Sequence, residues 1–438
     1  MMRKPFAIDA NVDAAQSPDQ DRRRVIQTIG LGGAAALAAP GLLLRPAHAQ
    51  GRTVKIGFVS PQTGPIAAFG EADKFVLEGV RKAIGKGIKI AGAEHAIQII
   101  SRDSQSNPNR AAEVAAQLIK NDRVDIILAS STSDTVNPVA DQAELNGVPC
   151  VTADDPWQAY FFGRKGDPKK GFDWTYHFFW GFDTIADVFV NMWDALPTNK
   201  VVGTLFSNDP DGIAGNQALP PHFTSKGYKV VNAGLYTGNT DDFSTQISVL
   251  KKENAEIVMG IFTPPAFATF WTQCGQQGYR PKIVTPAKAV LFPSAVESLG
   301  ARGNGMTTEV WWSPHHPFKS GLTGQTAQQY CDEYTKATKK QWTQPLGFKH
   351  AVLEVAIDVL KRAKKLAPAD IRDAIVETNY NSMVGPIQWK TGPVKNVCLT
   401  PLVGGQWKPG KQFKFDLHII DNQTAKSIPV ESKIAPLS

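Results

Sequence analysis

Cysteine is scarce in this chain, and the spacing of its cysteines excludes the common metal and redox motifs. The 438 residues include four cysteines, which stand far apart at Cys150, Cys274, Cys331 and Cys398. No Cys-x-x-Cys pair exists, so neither a zinc ribbon nor a thioredoxin-like site is indicated. Four cysteines allow three disulfide pairings, and the sequence does not choose among them.

The chain also lacks the sequence signals of an enzyme, a cofactor site or a nucleic-acid groove. There is no Gly-x-Ser-x-Gly elbow and no His-Glu-x-x-His pair. Residues 405–412 resemble a phosphate-binding P-loop, but Gln412 replaces the required Ser or Thr. His315 and His316 are neighbours in the sequence, but no further metal ligands lie near them. The formal net charge of +7 is spread along the chain rather than clustered. We therefore expect no metal, no cofactor, no catalysis and no nucleic-acid partner.

The N-terminal segment has the order of parts found in a bacterial export signal. Residues 22–24 are arginines, residues 25–44 are mostly apolar, and residues 47–49 read Ala-His-Ala, a small-x-small cleavage site. Several glycines and a proline interrupt the apolar stretch, which argues against a membrane anchor. The paired arginines resemble the twin-arginine signal. We predict that residues 1–49 are an export signal cleaved near Ala49 and that the mature protein lies in the periplasm.

Beyond this segment, short β-branched runs alternate with amphipathic segments of helix length. The runs lie at residues 54–59, 97–100, 125–129, 148–151, 201–206, 229–231, 256–261 and 282–284. Such alternation indicates βαβ units and parallel sheets. In one unit, Asn107 and Pro108 predict a helix start, and apolar residues within 111–119 share one helical face before the strand at 125–129.

A second copy of this pattern occurs later in the chain. Two aspartates at 241–242 precede an amphipathic segment at 243–250, and a strand follows at 256–260. Two copies indicate two similarly built lobes, which the length also favours because single cores stop growing at roughly 250 to 300 residues. The aromatic segment 174–182 lies between the copies and is the predicted crossing point.

Several stretches, taken in order, resemble a known family. Residues 56–65 read Ile-Gly-Phe-Val-Ser-Pro-Gln-Thr-Gly-Pro, and the later stretches are Ala-Phe-Gly at 68–70, Asp-Ser-Gln-Ser-Asn-Pro at 103–108, Ser-Ser-Thr-Ser at 130–133, Asp-Phe-Ser at 242–244 and Gly-Pro-Ile-Gln-Trp at 385–389. Their order and spacing over nearly the whole mature chain resemble the branched-chain-amino-acid type of periplasmic solute-binding protein, which serves ABC importers.

The resemblance implies a fold and a mode of action. The fold is the type I periplasmic binding protein, an α/β architecture of two Rossmann-like parallel-sheet lobes joined by a three-strand hinge. We predict that residues 51–180 and 314–390 form the first lobe, and that residues 181–313 and 391–438 form the second. The resemblance implies that the lobes close on a small solute without performing chemistry, and that the partner is an inner-membrane ABC permease. We expect a monomer.

The resemblance also places candidate ligand contacts at the ends of strands. The candidates that match the family are Phe69, Gly70, Ser131, Thr132, Ser133 and Phe262. The three hydroxyl residues precede a helix, where hydroxyls and free N–H groups favour an anion; a helix-capping role is the alternative. The glycine belongs to a turn that covers the ligand, and each phenylalanine is either a wall of the site or part of the core.

Four further candidates depart from the amino-acid-binding pattern: Asp155, Trp157, Asp211 and Lys288. Residues 154–157 read Asp-Asp-Pro-Trp where the amino-acid binders present a hydroxyl residue, and Trp157 offers a large flat surface. Lys288 stands near the position of the acid that pairs with a ligand ammonium, and a lysine would instead attract a carboxylate; a surface lysine is the alternative. Asp211 stands where the second lobe usually offers an aromatic side chain.

These departures predict a small carboxylate without an α-amino group and with an aromatic or otherwise flat body. Three alternatives stay open. The same module can bind an amino acid or an amide, it can be a ligand sensor that feeds a receptor, or, less favoured, the chain can be an enzyme exported by the twin-arginine route. A permease and an ATPase encoded next to this chain would separate uptake from sensing.

Overall fold

The structure, a computed structural model, describes residues 51–238 and 240–437. The predicted export signal at residues 1–49 lies outside the described residues. Among the described helices, none combines the length and the apolar character needed to cross a membrane.

Strands and helices alternate along the described chain, as the sequence pattern predicts. The strands are β1 (Val54–Ser60), β2 (Ile88–Ile90), β3 (Ala93–His95), β4 (Ile97–Asp103), β5 (Ile126–Ser130), β6 (Cys150–Ala153), β7 (Thr175–Phe178), β8 (Val201–Ser207), β9 (Lys229–Tyr236), β10 (Ile257–Ile261), β11 (Ile283–Thr285), β12 (Thr307–Val310), β13 (Asn379–Ser382), β14 (Gly385–Gln388), β15 (Val397–Cys398), β16 (Val403–Pro409) and β17 (Phe415–Asp421). The α-helices are α1 (Asp73–Ile84), α2 (Pro108–Lys120), α3 (Ser133–Asn146), α4 (Trp157–Gly163), α5 (Phe182–Asp194), α6 (Pro210–Ser225), α7 (Ser244–Lys252), α8 (Pro264–Gln276), α9 (Pro293–Ser298), α10 (Ala327–Thr338), α11 (Gln344–Arg362) and α12 (Pro368–Val376).

Two parallel sheets carry the fold. The first has six strands in the order β15-β7-β6-β5-β1-β4, and the second has four in the order β11-β10-β8-β9. Every pairing within these two sheets is parallel. The middle strands β5 and β10 are buried along their whole length, which is why the sequence shows them as continuous apolar runs.

Helix α2 illustrates how local sequence builds these layers. The side chain of Asn107 accepts a hydrogen bond from the backbone N–H of Arg110 at 3.0 Å, and Pro108 occupies the first turn. The helix then buries one face, formed by Ala111, Val114, Ala115, Leu118 and Ile119. The predicted cap, proline and buried face are all confirmed here.

The chain passes between the two sheets three times. It leaves the first sheet after β7, returns after β12 to add β15 beside β7, and leaves again for β16 and β17, which join β12 in an antiparallel sheet. The pairing of β15 with β7 differs from the predicted division, which assigned residues 391–438 to the second lobe. The last crossing therefore follows Cys398. The other lobe boundaries stay predictions.

The cysteines belong to the core. Cys150, Cys274, Cys331 and Cys398 are all buried and all unpaired. Burial raises the pKa of the Cys150 thiol to about 12, so this thiol is protonated at neutral pH. No disulfide pairing remains to be chosen for the described chain.

Candidate functional site

A cavity opens at the carboxyl ends of the strands, where the two parallel sheets face each other. The residues that line it are Phe69, Thr132, Asp154, Pro156, Phe179, Trp180, Phe182, Ile185, Asp211, Leu219, Met259, Ile261, Ala287, Lys288, Leu291, Glu309 and Trp311. They come from both sheets and from the crossing segments between them. This is the position at which open α/β sheets bind ligands.

The wall from the first sheet begins where β5 ends. Ser131 and Thr132 connect β5 to α3, and both side-chain hydroxyls are buried without a hydrogen-bond partner among the described residues. Thr132 occupies the N-cap position of α3, but its side chain makes no capping bond. The alternative of a purely capping role is therefore wrong for Thr132, which lines the cavity; its contact with a ligand stays a prediction.

The next strand, β6, ends in two acidic residues. The side chain of Asp154 is hydrogen-bonded to the hydroxyl of Ser130 through one carboxyl oxygen, while the other oxygen is buried and has no partner in residues 51–238 and 240–437. The backbone φ of Asp154 is 71°, a left-handed conformation that is unfavourable for residues other than glycine and that recurs at binding sites. Burial raises the pKa of Asp154 to about 7. The residue is therefore a strained, incompletely bonded acid in the cavity wall.

The second sheet contributes an ion-pair cluster. Lys288 Nζ lies 3.0 Å from Asp209 Oδ2 and 3.1 Å from Asp211 Oδ2, and the Lys288 side chain is 13% exposed. Burial alone would lower the pKa of Lys288, but the carboxylates of Asp211 and Asp209 raise it. The expectation that Lys288 offers a free charge to a ligand carboxylate is therefore wrong, because two aspartates already neutralise it.

A hydrogen-bond bridge connects the two sides of the cleft. Ser133 Oγ lies 2.6 Å from Asp155 Oδ1, and it is also hydrogen-bonded to Asp211 Oδ1. Asp155 follows a strand of the first sheet, whereas Asp211 lies in the first turn of α6 beside the second sheet. The imidazole of His177 contacts the backbone oxygen of Asp155 at 2.7 Å and holds this residue in place. The sequence predicted Ser133, Asp155 and Asp211 separately, and the structure brings them together.

The aromatic wall comes mainly from the crossing segments rather than from the residues predicted for it. The cavity is lined by Phe179, Trp180, Phe182 and Trp311, and the indole nitrogens of both tryptophans are buried without partners in the part of the chain that the structure describes. Sequence reasoning did not assign these residues to the site. The aromatic run at 174–182 was the available signal, because it marks the place where the chain passes between sheets beside the cleft.

Four predicted contacts neither line the cavity nor belong to the bridge across the cleft: Ser131, Phe262, Trp157 and Gly70. The ring of Phe262 is fully buried in the core of the second sheet, stacked on Tyr236 with ring centroids 5.5 Å apart. The ring of Trp157 packs on the ring of Phe162, with the two ring centroids 5.7 Å apart. Gly70 allows a close approach of the backbone, since a Cβ at position 70 would lie 2.6 Å from the backbone oxygen of Pro61. For Phe262, core packing is the correct alternative.

Glu309 is an acid of the site that sequence reasoning missed. It lies on β12, is 2% exposed and lines the cavity. Burial raises its pKa to about 7, although the hydroxyl of Thr308 donates to Oε2 at 3.0 Å. No local pattern marks a glutamate within a buried strand as a ligand contact. Among residues 51–238 and 240–437, no group of three or more His, Cys, Asp or Glu side chains is arranged to hold a metal ion.

Comparison with known proteins identifies the family. The profile of the periplasmic binding protein family matches residues 53–411, so the chain belongs to this family. A curated relative is Leu/Ile/Val-binding protein homolog 7 of Brucella melitensis, which is 22% identical over 404 residues that cover 86% of this chain and 94% of the relative.

Solved structures share the fold. The leucine binding protein LivK of Thermotoga maritima is 22% identical with a TM-score of 0.70, covering 85% of this chain and 99% of its own. A solute binding protein of an ABC transporter from Rhodopseudomonas palustris, in complex with 3,4-dihydroxybenzoic acid, is 18% identical with a TM-score of 0.67, covering 85% and 99%.

The predicted fold, two parallel-sheet lobes of the type I periplasmic binding protein, is thereby confirmed. The family consists of solute-binding proteins and implies a location outside the cytoplasm.

Proposed function

We propose that this protein is the solute-binding subunit of an ABC importer and closes on a small organic acid with a flat apolar body. In this proposal the partner of the protein is an inner-membrane ABC permease. The twin-arginine-like segment directs the protein to the periplasm, where it acts as a monomer. The observation that carries the ligand class is the cavity wall itself. Aromatic side chains line the cavity, and two of them, Trp180 and Trp311, have buried indole N–H groups that find no acceptor among the described residues.

Unpartnered donors in an apolar cavity favour a ligand with acceptor oxygens. A buried donor without a partner costs roughly 1 to 3 kcal/mol, so a ligand that supplies the acceptor gains that energy on binding. The two indoles and the Thr132 hydroxyl can donate to a carboxylate while the aromatic rings contact a flat body. The similar R. palustris protein was solved with an aromatic acid, which supports this choice.

The hydrogen-bonding role of Thr132 gives a direct test. We expect purified protein to bind benzoate, 4-hydroxybenzoate or 3,4-dihydroxybenzoate in titration calorimetry, and Thr132→Val to weaken that binding roughly tenfold or more, as for a lost hydrogen bond to a charged group. The exposed Thr245 lies on α7, away from the cavity, and Thr245→Val should bind like the wild type. Micromolar binding of leucine or valine, without binding of any aromatic acid, would contradict the proposal.

The two buried acids of the wall predict a preference for hydroxylated solutes. Asp154 and Glu309 can each exchange a hydrogen bond with a ligand hydroxyl. We expect 4-hydroxybenzoate to bind more tightly than benzoate, and Asp154→Asn or Glu309→Gln to reduce that ratio of affinities. Asp332→Asn changes an exposed acid and should leave the ratio as it is. An unchanged ratio in both cavity variants would show that neither acid contacts the ligand hydroxyl.

Amino-acid binding is the second candidate. The carboxyl groups of Asp154, Asp211 and Glu309 outnumber the lysine of the cavity, and an α-ammonium group could pair with them. The same calorimetric comparison decides between the two candidates, because leucine and valine carry the ammonium and the benzoates do not.

A further inference from the structure

The bridge across the cleft contains more acceptors than its hydroxyl can serve. Ser133 Oγ is within hydrogen-bond distance of a carboxyl oxygen of Asp155 and of a carboxyl oxygen of Asp211. A serine hydroxyl has one hydrogen, whereas two ionised carboxylates would both need to accept one. One of the two acids must therefore carry a proton for both contacts to be hydrogen bonds.

The surroundings of the two acids indicate where that proton resides. Asp211 is paired with a positive charge, since Lys288 Nζ lies 3.1 Å from its second carboxyl oxygen. Within the part of the chain that the structure describes, Asp155 forms no ion pair, its side chain is fully buried, and its second oxygen has no partner. Burial, followed by the charge of Asp211, raises the pKa of Asp155 well above its usual value. The proton therefore belongs to Asp155.

We propose that Asp155, Ser133, Asp211 and Lys288 form a protonated latch that holds the two sides of the cleft together. The protonated carboxyl group of Asp155 donates a hydrogen bond to Ser133 Oγ, the Ser133 hydroxyl donates one to Asp211, and the Lys288 ammonium donates to Asp211 and Asp209. Opening the cleft separates Asp155 from Asp211, hydrates Asp155 and releases its proton. Closing the cleft takes up that proton. The latch rests on the proposed function only in that it requires the two sides to separate.

The other charged groups around the latch do not replace this proton. The titratable neighbours are Asp134 on α3, Asp154 after β6, His177 on β7, Asp209 before α6, Lys288 between β11 and α9, and Glu309 on β12. Burial lowers the pKa of His177 to about 3, so its ring is neutral and supplies no charge. Burial, together with Asp211 and Asp209, raises the pKa of Asp134 to about 6. Lys288 is the cation of this group, and it faces the aspartates of the second side.

The sign of the pH effect follows from the proton count. The closed form binds one more proton than the open form at pH values between the pKa of Asp155 in the open cleft and its pKa in the closed cleft. The ratio of closed to open protein therefore falls by up to tenfold for each pH unit through that window as the pH rises. Low pH favours the closed cleft.

Solution scattering of solute-free protein tests the latch. We expect the radius of gyration of the wild type to rise between about pH 5 and pH 9, and that of Asp155→Asn to rise clearly less, because the amide donates to Ser133 at every pH and the acids that still titrate, Asp154 and Glu309, are not part of the bridge. Asp134→Asn removes a neighbouring acid that does not bond Ser133 and should keep the rise. A constant radius in the wild type, or an equal rise in Asp155→Asn, would overturn the latch.

A second variant covers the case in which Asp155→Asn does not fold. Asp155→Ser replaces the carboxyl group with a hydroxyl that does not titrate in this range, so the pH dependence of the radius should be reduced in this variant also, and a rise equal to that of the wild type would count against the latch. The result is separate from the test of the proposed function. Calorimetry with benzoates at one fixed pH measures solute binding, whereas the pH series contains no solute.

Discussion

Replacing Lys288 with methionine is expected to destabilise the protein by about 3 to 5 kcal/mol, the usual cost of leaving a buried charge without its partner. Lys288 is the cation that contacts both Asp209 and Asp211, and these carboxylates are 23% and 9% exposed. Methionine preserves most of the side-chain length, so the loss reports the charge rather than a cavity. Denaturant unfolding of the two proteins at neutral pH measures the difference.

The matched control is Lys252→Met, which removes an exposed lysine at the end of α7 and should change stability by less than about 0.5 kcal/mol. Burial opposes ionisation of Asp209, but Lys288 lowers the pKa of this acid. That stabilisation is present above the unfolded pKa of about 3.9 and is lost as the pH falls through the folded pKa, so the deficit of the variant should shrink below about pH 4. A deficit under about 1 kcal/mol at neutral pH would mean that the lysine is not the counter-charge of this cluster.

Gly212→Ala is expected to abolish solute binding and to destabilise the fold by about 1 to 3 kcal/mol. Gly212 lies in the first turn of α6, and a Cβ there would overlap the backbone oxygen of Ser207. The start of α6 must move to relieve this clash. That movement displaces Asp211 from the cleft and breaks the bond from the Gly212 N–H to Asp209 Oδ1, which is 2.8 Å long.

Gly79 provides the control because it occupies the middle of α1, where an added Cβ would meet no atom within 4 Å beyond the backbone of its own helix. Gly79→Ala should leave binding unchanged and stabilise the protein by roughly 0.5 to 1 kcal/mol, since alanine loses less backbone freedom in a helix. The two substitutions thus have opposite expected signs. Thermal unfolding and benzoate calorimetry on both variants measure them. Wild-type affinity in Gly212→Ala would show that the first turn of α6 does not shape the site.

The elements of this fold that could be predicted are those with a local cause. The helix start at Asn107 and Pro108 depends on groups within three residues of each other. The buried face of α2 depends on apolar residues that recur every three or four positions. The strand predicted at residues 256–261 appears as Ile257–Ile261, and the amphipathic segment at 243–250 appears as the helix Ser244–Lys252. In these segments the sequence neighbours decide the conformation.

The details of the site have distant causes and could not be predicted in the same way. Lys288 and Asp209 are 79 residues apart in the chain, and only the folded second side brings them to 3.0 Å. Phe262 was correctly expected after its strand, but the direction of its ring depends on the packing of Tyr236 and helix α8. Trp180 and Trp311 share one cavity because two separate crossings of the chain run side by side.

The four buried thiols make this protein convenient for spectroscopy. None of them presents a sulfur at the surface for a maleimide dye to attack, so the natural chain serves as an unlabelled background. A cysteine introduced on the outer face of α4 and another on α6 would then carry a donor and an acceptor dye on the two sides of the cleft. Energy transfer between them would follow single opening and closing events as they occur.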